Sequence, residues 1–211
     1  MLSEANPLIK AKRRAGRVKR WGKRKLWERN IGKEYKAWLA DAVTAAPGTV
    51  DNPVPISVIV PVYNPPVAFL RECLDSVVNQ SARNWELIVS DDGSTDAATC
   101  DYLDAFAAQH ADDPRVVVLR EPNGGISVAC NRGIGRVTNS HFGWLDHDDA
   151  LDPRCFAEVS DRLAQTDADI VYTDEDKINT RGEHFELYCK PDYSPELLLT
   201  QMYLCHFTVF R

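Results

Sequence analysis

Continuous apolar runs alternate with helical stripes along most of the chain. Residues 56–60, Ile-Ser-Val-Ile-Val, read as a buried strand that Pro61 is expected to stop. Phe69, Leu70, Cys73, Leu74, Val77 and Val78 recur at the spacing of one helical face. Residues 85–90 predict a second strand, and the chain after Thr95 a helix with Tyr102, Leu103 and Phe106 inward. A third strand at 115–119, a short helix at 126–137, a strand opening at Phe142, a helix at 153–165 and a strand at 169–173 continue the series. Strands alternating with helices predict an α/β fold: a mostly parallel central sheet with helices on both faces. Ahead of it, Trp27, Ile31, Tyr35, Trp38, Leu39 and Ala42 recur at helical spacing, and the Pro/Gly-containing stretch from Ala45 to Pro55 has linker composition. The chain is thus expected to divide into an arm and linker, 1–50, and one domain, 54–211.

Charge sharpens that division. Residues 1–36 hold 13 Lys/Arg against Glu4, Glu28 and Glu34, a net of +10; the remainder carries −16, which leaves −6 for the 211 residues. A basic helix bearing Trp21 and Trp27 suits an anionic membrane surface, each cation adding about 1 kcal/mol there. Docking on other protein segments and nucleic-acid binding compete with that reading, nucleic acid being the least favoured. No apolar run approaches the roughly 18 residues that span a bilayer, and the first residues lack the apolar block expected of a secretory signal. The six cysteines, Cys73, Cys100, Cys130, Cys155, Cys189 and Cys205, include no C-x-x-C pair, which argues against zinc and for reduced thiols. The expected location is the cytoplasm, free or peripheral on the inner membrane face.

Candidate chemistry collects where strands end. Tyr63-Asn64 follows the first strand, Asp91-Asp92 the second, Asp146-His147-Asp148-Asp149 the fourth and Asp174-Glu175-Asp176 the fifth. In a parallel sheet these ends share one edge, where ligands bind. Carboxylates packed as closely as Asp146, Asp148 and Asp149 repel one another unless a cation joins them. Mg²⁺ or Mn²⁺ held by one or two carboxylates and substrate phosphates answers that need. A solvated turn capping the next helix is the plainer reading of the same residues, and His147 is as readily a loop histidine as a ligand. Asp92 can accept the imide N–H of uracil or thymine, or merely begin a helix cap. Asn123-Gly124-Gly125 lets backbone approach a phosphate ahead of a helix N-terminus. Neither the G-x-G-x-x-G nor the Walker fingerprint follows the first strand.

Pro61-Val62-Tyr63-Asn64, Asp91-Asp92-Gly93-Ser94, Asn123-Gly124-Gly125-Ile126-Ser127 and Leu145-Asp146-His147-Asp148-Asp149 stand in the order and approximate spacing of glycosyltransferase family 2. The chain from about Pro55 to Arg211 resembles these inverting enzymes of GT-A fold. Tyr172-Thr173-Asp174-Glu175-Asp176-Lys177 is similar to the members that build bacterial O-antigen and related surface polysaccharides, often rhamnosyltransferases. The resemblance implies a UDP- or dTDP-linked sugar donor, a glycan or lipid-linked acceptor, and Mn²⁺ or Mg²⁺. It implies donor contacts from Pro61, Tyr63, Asn64, Asp91, Asp92, Asn123, Gly124, Gly125 and Asp146. Asp148 is the favoured metal ligand, with Asp146 and Asp149 as helpers. Asp174, Glu175 and Asp176 would face sugar or acceptor and are the catalytic candidates. Arg132 departs from the family pattern, in which Arg precedes the residue matching Asn131. The family's general base is expected in a later segment, and 206–211 reads like the middle of a strand, so the chain is expected to be an N-terminal piece. A sugar nucleotidyltransferase would need a Gly-rich basic loop where Pro61-Val62-Tyr63-Asn64-Pro65-Pro66 stands. A non-catalytic module that holds a nucleotide sugar or a partner is the other alternative.

Overall fold

A computed structural model describes residues 32–39 and 53–211. Residues 32–39 are helical (α1). There follow β1 (Ile56–Val62), α2 (Val67–Val78), β2 (Trp85–Asp91), α3 (Ala97–Gln109), β3 (Val116–Arg120), α4 (Ile126–Ile134) and β4 (His141–Trp144). The chain continues through α5 (Cys155–Gln165), β5 (Ile170–Tyr172), β6 (Glu175–Ile178), β7 (His184–Tyr188), α6 (Pro195–Leu198) and β8 (Thr208–Phe210). It divides into two compact units. One gathers Met1–Ala46 and Asp176–Tyr188, the other Pro47–Glu175 and Cys189–Arg211.

The larger unit is a six-stranded sheet in the order β3-β2-β1-β4-β8-β5. β1, β2, β3 and β4 are parallel, and β8 runs antiparallel between β4 and β5. The strand expected within 206–211 is present as β8, but its antiparallel direction departs from the alternating pattern. Even-numbered residues of β1, Ile56 to Val62, join Leu70, Cys73, Leu74 and Val77 of α2, Leu103 and Phe106 of α3, and Phe156, Val159 and Leu163 of α5 in one core. Each fully buried Ile, Val or Leu there stabilises the fold by about 2 kcal/mol relative to exposure. α4 lies on the opposite face: a Cβ built on its Gly133 would sit 2.3 Å from Ile59 Cγ2, so only glycine allows this approach. Ser90 Oγ of β2 donates to the Ala129 carbonyl of α4 at 2.8 Å. Phe69, expected on the buried stripe of α2, is instead 44% exposed.

Pro61 does not stop β1, which runs two residues past Val60. The Ile59 carbonyl receives Leu145 N–H at 3.0 Å and the Val62 carbonyl receives Asp92 N–H at 2.8 Å. Odd positions therefore face β4 and even positions β2. The β4 pairing ends at Ile59↔Trp144, so the Pro61 nitrogen faces a side with no further strand partner and its missing N–H costs no ladder bond.

The smaller unit contains α1 and the two-stranded β6–β7 sheet. Tyr35 and Trp38 stack at 5.8 Å between ring centroids, and the Tyr35 hydroxyl donates to Asp176. Of the basic aromatic arm, Trp21 and Trp27 and the rest of residues 1–31 lie outside the described residues. Among the described residues no helix is long and apolar enough to cross a membrane.

Candidate functional site

Parallel register sets the carboxyl ends of β1, β2, β3 and β4 on one edge. Trp144↔Thr208 and Tyr172↔Thr208 then place the start of β8 and the end of β5 at that edge as well. Every strand end singled out by sequence reaches this edge, but the clusters there are held differently.

At β2 the acidic pair is spent on the protein. Asp91, 1% exposed, pairs with Arg120 Nε at 2.9 Å and accepts from Ser94 N–H at 3.2 Å. Asp92, 3% exposed, accepts from Gly124 N–H at 2.8 Å, Gly125 N–H at 2.7 Å and Arg132 Nη1 at 3.0 Å. A carboxylate has about four acceptor positions, and three of those of Asp92 are filled. Arg132 also donates to the Pro122 carbonyl at 2.9 Å, and Asn123 Nδ2 to the Asp92 carbonyl at 3.0 Å. Asn64, with φ of 49°, turns its Oδ1 to Thr95 N–H at 2.7 Å and Asp96 N–H at 2.8 Å. These contacts weld the loops after β1, β2 and β3 into one floor. Gly93 is required in it: its φ is +75° and a Cβ would lie 2.7 Å from Asn123 N. Of the expected donor contacts, Pro61 is buried within β1, whereas the Tyr63 ring is 51% exposed and Gly124 and Gly125 are exposed.

At β4 the arrangement is open. Asp146, Asp149 and His206 bring one ligand atom each within 4.8 Å of the others. His206 Nε2 is 3.1 Å from Asp146 Oδ2 and 3.9 Å from Asp149 Oδ2. The bond to Asp146 raises the His206 pKa above its ordinary value, and the same bond lowers that of Asp146. Asp149 is raised, first by desolvation and then by its acidic neighbours, against the pull of His206. One carboxylate is thus paired and the other crowded, and His206, when protonated, is their shared counter-cation. Asp148, the ligand favoured from sequence, is exposed and is not among the three residues of this group, which includes His206. Burial and the three nearby carboxylates push the Cys73 thiol up, which leaves it a neutral wall donating to the Asp146 carbonyl at 3.3 Å.

The three acidic residues after β5 do not act as one set. Asp174 accepts from Lys190 N–H at 2.7 Å, and Glu175 pairs with Lys190 Nζ at 3.0 Å. Asp176 belongs to the smaller unit, where it bonds His184 Nδ1 at 2.7 Å and Tyr35. Sequence reasoning missed Arg120, Lys190 and His206. His206 could have been suspected only by pairing the acidic cluster with a strand that returns antiparallel to it.

Residues 57–209 match the family described as Glycosyl transferase family 2. The chain is 44% identical over 184 residues to the uncharacterized protein y4gI of Sinorhizobium fredii, covering 86% of this chain and 20% of that protein. It is 36% identical over 188 residues to the O-antigen biosynthesis protein RfbC of Myxococcus xanthus, covering 84% and 14% respectively. The chain therefore spans a fifth or less of the length of these relatives. Among solved structures, Staphylococcus aureus TarS 1–349 in complex with UDP-GlcNAc superposes with a TM-score of 0.53 at 23% identity, over 62% of this chain and 37% of that one. The fold is GT-A.

Proposed function

The chain belongs to glycosyl transferase family 2, and on that premise we propose that it holds a pyrimidine nucleoside diphosphate-sugar, UDP- or dTDP-linked, for glycosyl transfer with inversion. The observation that carries the reading is the convergence of Asp146, Asp149 and His206 on the sheet edge that also presents Tyr63, Asp92 and Gly124-Gly125. The donor set fits a divalent cation: two carboxylates suit Mg²⁺ or Mn²⁺, and the imidazole favours Mn²⁺. Asp146, Asp149 and His206 would hold it, in place of the Asp148-centred set expected from sequence. When bound, the ion neutralises charge developing on the departing diphosphate. The chain's own residues supply the donor contacts. The exposed Tyr63 ring offers a stacking face for the base, and the remaining acceptor position of Asp92 selects a base with an imide N–H. The locked Gly124-Gly125 backbone brings the loop before α4 close to the nucleotide. A single in-line displacement by an acceptor hydroxyl, on a glycan or lipid-linked saccharide, inverts the sugar carbon as the nucleoside diphosphate leaves, the hydroxyl proton passing to the carboxylate base expected in a later segment of the family. Likeness to RfbC, named for O-antigen biosynthesis, supports cell-surface polysaccharide as the product class. The cytoplasmic membrane face, reached through the basic arm, is the proposed place of action.

Calorimetry with UDP, dTDP, GDP and ADP, in Mn²⁺ and in EDTA, tests the reading. The pyrimidine nucleotides should bind at least tenfold tighter than the purines and only weakly in EDTA. A purine preference would remove the base assignment. Binding of the nucleotide without any turnover of its sugar conjugate would reduce the chain to a binding module.

A further inference from the structure

Resting on the donor-site reading above, we propose that Lys190 is a positioning residue: its ammonium fixes the backbone that presents His206 and ties it to the acidic end of β5. The Lys190 side chain is 1% exposed, yet Glu175 beside it is 37% exposed. Its three N–H groups meet three acceptors: the Leu204 carbonyl at 2.6 Å, the His206 carbonyl at 2.7 Å and Glu175 Oε2 at 3.0 Å. The two carbonyls flank Cys205, so one cation sets the backbone on both sides of the bend that leads into β8. The His206 ring leaves that bend to reach Asp146 and Asp149. The main chain at the same residue adds a second tie, Lys190 N–H to Asp174 Oδ1 at 2.7 Å.

A buried ammonium is costly to desolvate, and an apolar residue of similar length would fill the same space more cheaply. What methionine could not do is gather two carbonyls that otherwise repel, or pair with the Glu175 carboxylate. Lys190 touches neither Asp146 nor Asp149 in any described contact; it acts through His206 and Glu175.

The test is Mn²⁺ binding by electron paramagnetic resonance, with UDP binding in EDTA as the readout a merely structural role would move equally. Lys190→Met should weaken Mn²⁺ at least tenfold and keep UDP affinity in EDTA within threefold. Lys190→Arg, which keeps a cation and its donors, should restore Mn²⁺ to within threefold of the parent. Leu163→Ala, a core change in α5, should lower thermal stability and leave Mn²⁺ affinity unchanged. If Lys190→Met does not fold, Lys190→Gln takes its place with the same expectation. Parental Mn²⁺ affinity in the uncharged variant, equal losses in the Met and Arg variants, or an equal loss in Leu163→Ala would each overturn the proposal. A parent chain that binds no Mn²⁺ would instead overturn the donor-site reading itself.

Discussion

Two acidic strand ends lie on one sheet edge and are neutralised in opposite ways. At β2, Asp91 and Asp92 are buried and closed by Arg120, Arg132 and the amides of Ser94, Gly124 and Gly125. At β4, Asp146 and Asp149 are roughly half exposed and share a single histidine. Arginine is permanently charged and forks into fixed geometry. Histidine gives up its proton near neutral pH and can then bind a metal. Charge that is built in holds the scaffold, with one acceptor position of Asp92 left toward the proposed base; charge that can be exchanged belongs to the proposed metal site. The difference teaches that acidic residues at a strand end are not by themselves evidence of ligand contact. Their partners decide.

The largest expected effect breaks the β2 cluster. Asp92→Ala should lower unfolding free energy by about 3 kcal/mol, because Arg132 and two amides lose a buried acceptor together. Urea denaturation measures it; a loss under about 1 kcal/mol would mean that the clamp is not structural. Gly93→Ala should cost about 2 kcal/mol in the same assay, since it adds both an unfavourable φ and a backbone collision. Asp149→Asn, by contrast, should change stability by under about 1 kcal/mol, because it removes a crowded, half-exposed charge. A loss as large as that of Asp92→Ala would erase the distinction between the clusters.

The smallest effect is a pH signature without metal. The His206 pKa is raised in the fold, so its contribution is complete below the ordinary value of 6.5 and is lost as pH rises through the folded value. The Asp146 pKa is lowered, so its contribution is complete above 3.8 and is lost as pH falls through the folded value. The pair therefore stabilises most between about pH 4 and 6.5. His206→Gln should melt below the parent in that window and converge with it toward pH 9. A deficit independent of pH would mean that the ring serves by packing alone.

Much of this was legible beforehand because strands, helices and turn residues obey local rules. The β1, β2 and β4 apolar runs and the stripe of Leu70, Cys73, Leu74 and Val77 follow from period alone. The motif order carried the fold family through Asp91-Asp92, Asn123-Gly124-Gly125 and Asp146–Asp149. What the sequence hid was non-local. Pro61 continues a strand because the neighbouring strand has already ended. His206 arrives on a strand that the local pattern marks but whose antiparallel return beside β4 it does not. Lys190, between Cys189 and Pro191, resembles any surface lysine until Leu204 and His206 fold over it. Asp148 is the ligand favoured from sequence because the Asp146–Asp149 cluster matches the family's D-x-D region, yet with the turn closed by Asp149 N–H to the Asp146 carbonyl it is exposed.

The central claim is that the β4 cluster, completed by His206, seats the metal for a nucleotide diphosphate. The most direct measurement is calorimetry of UDP with and without Mn²⁺ on the parent chain and on Asp149→Asn, His206→Gln and Asp148→Asn. The metal-dependent gain in affinity should fall at least tenfold in the first two variants and by less than threefold in Asp148→Asn. Weak binding in EDTA should be unchanged throughout. A gain that survives in both Asp149→Asn and His206→Gln, or that vanishes in Asp148→Asn alone, would contradict the account.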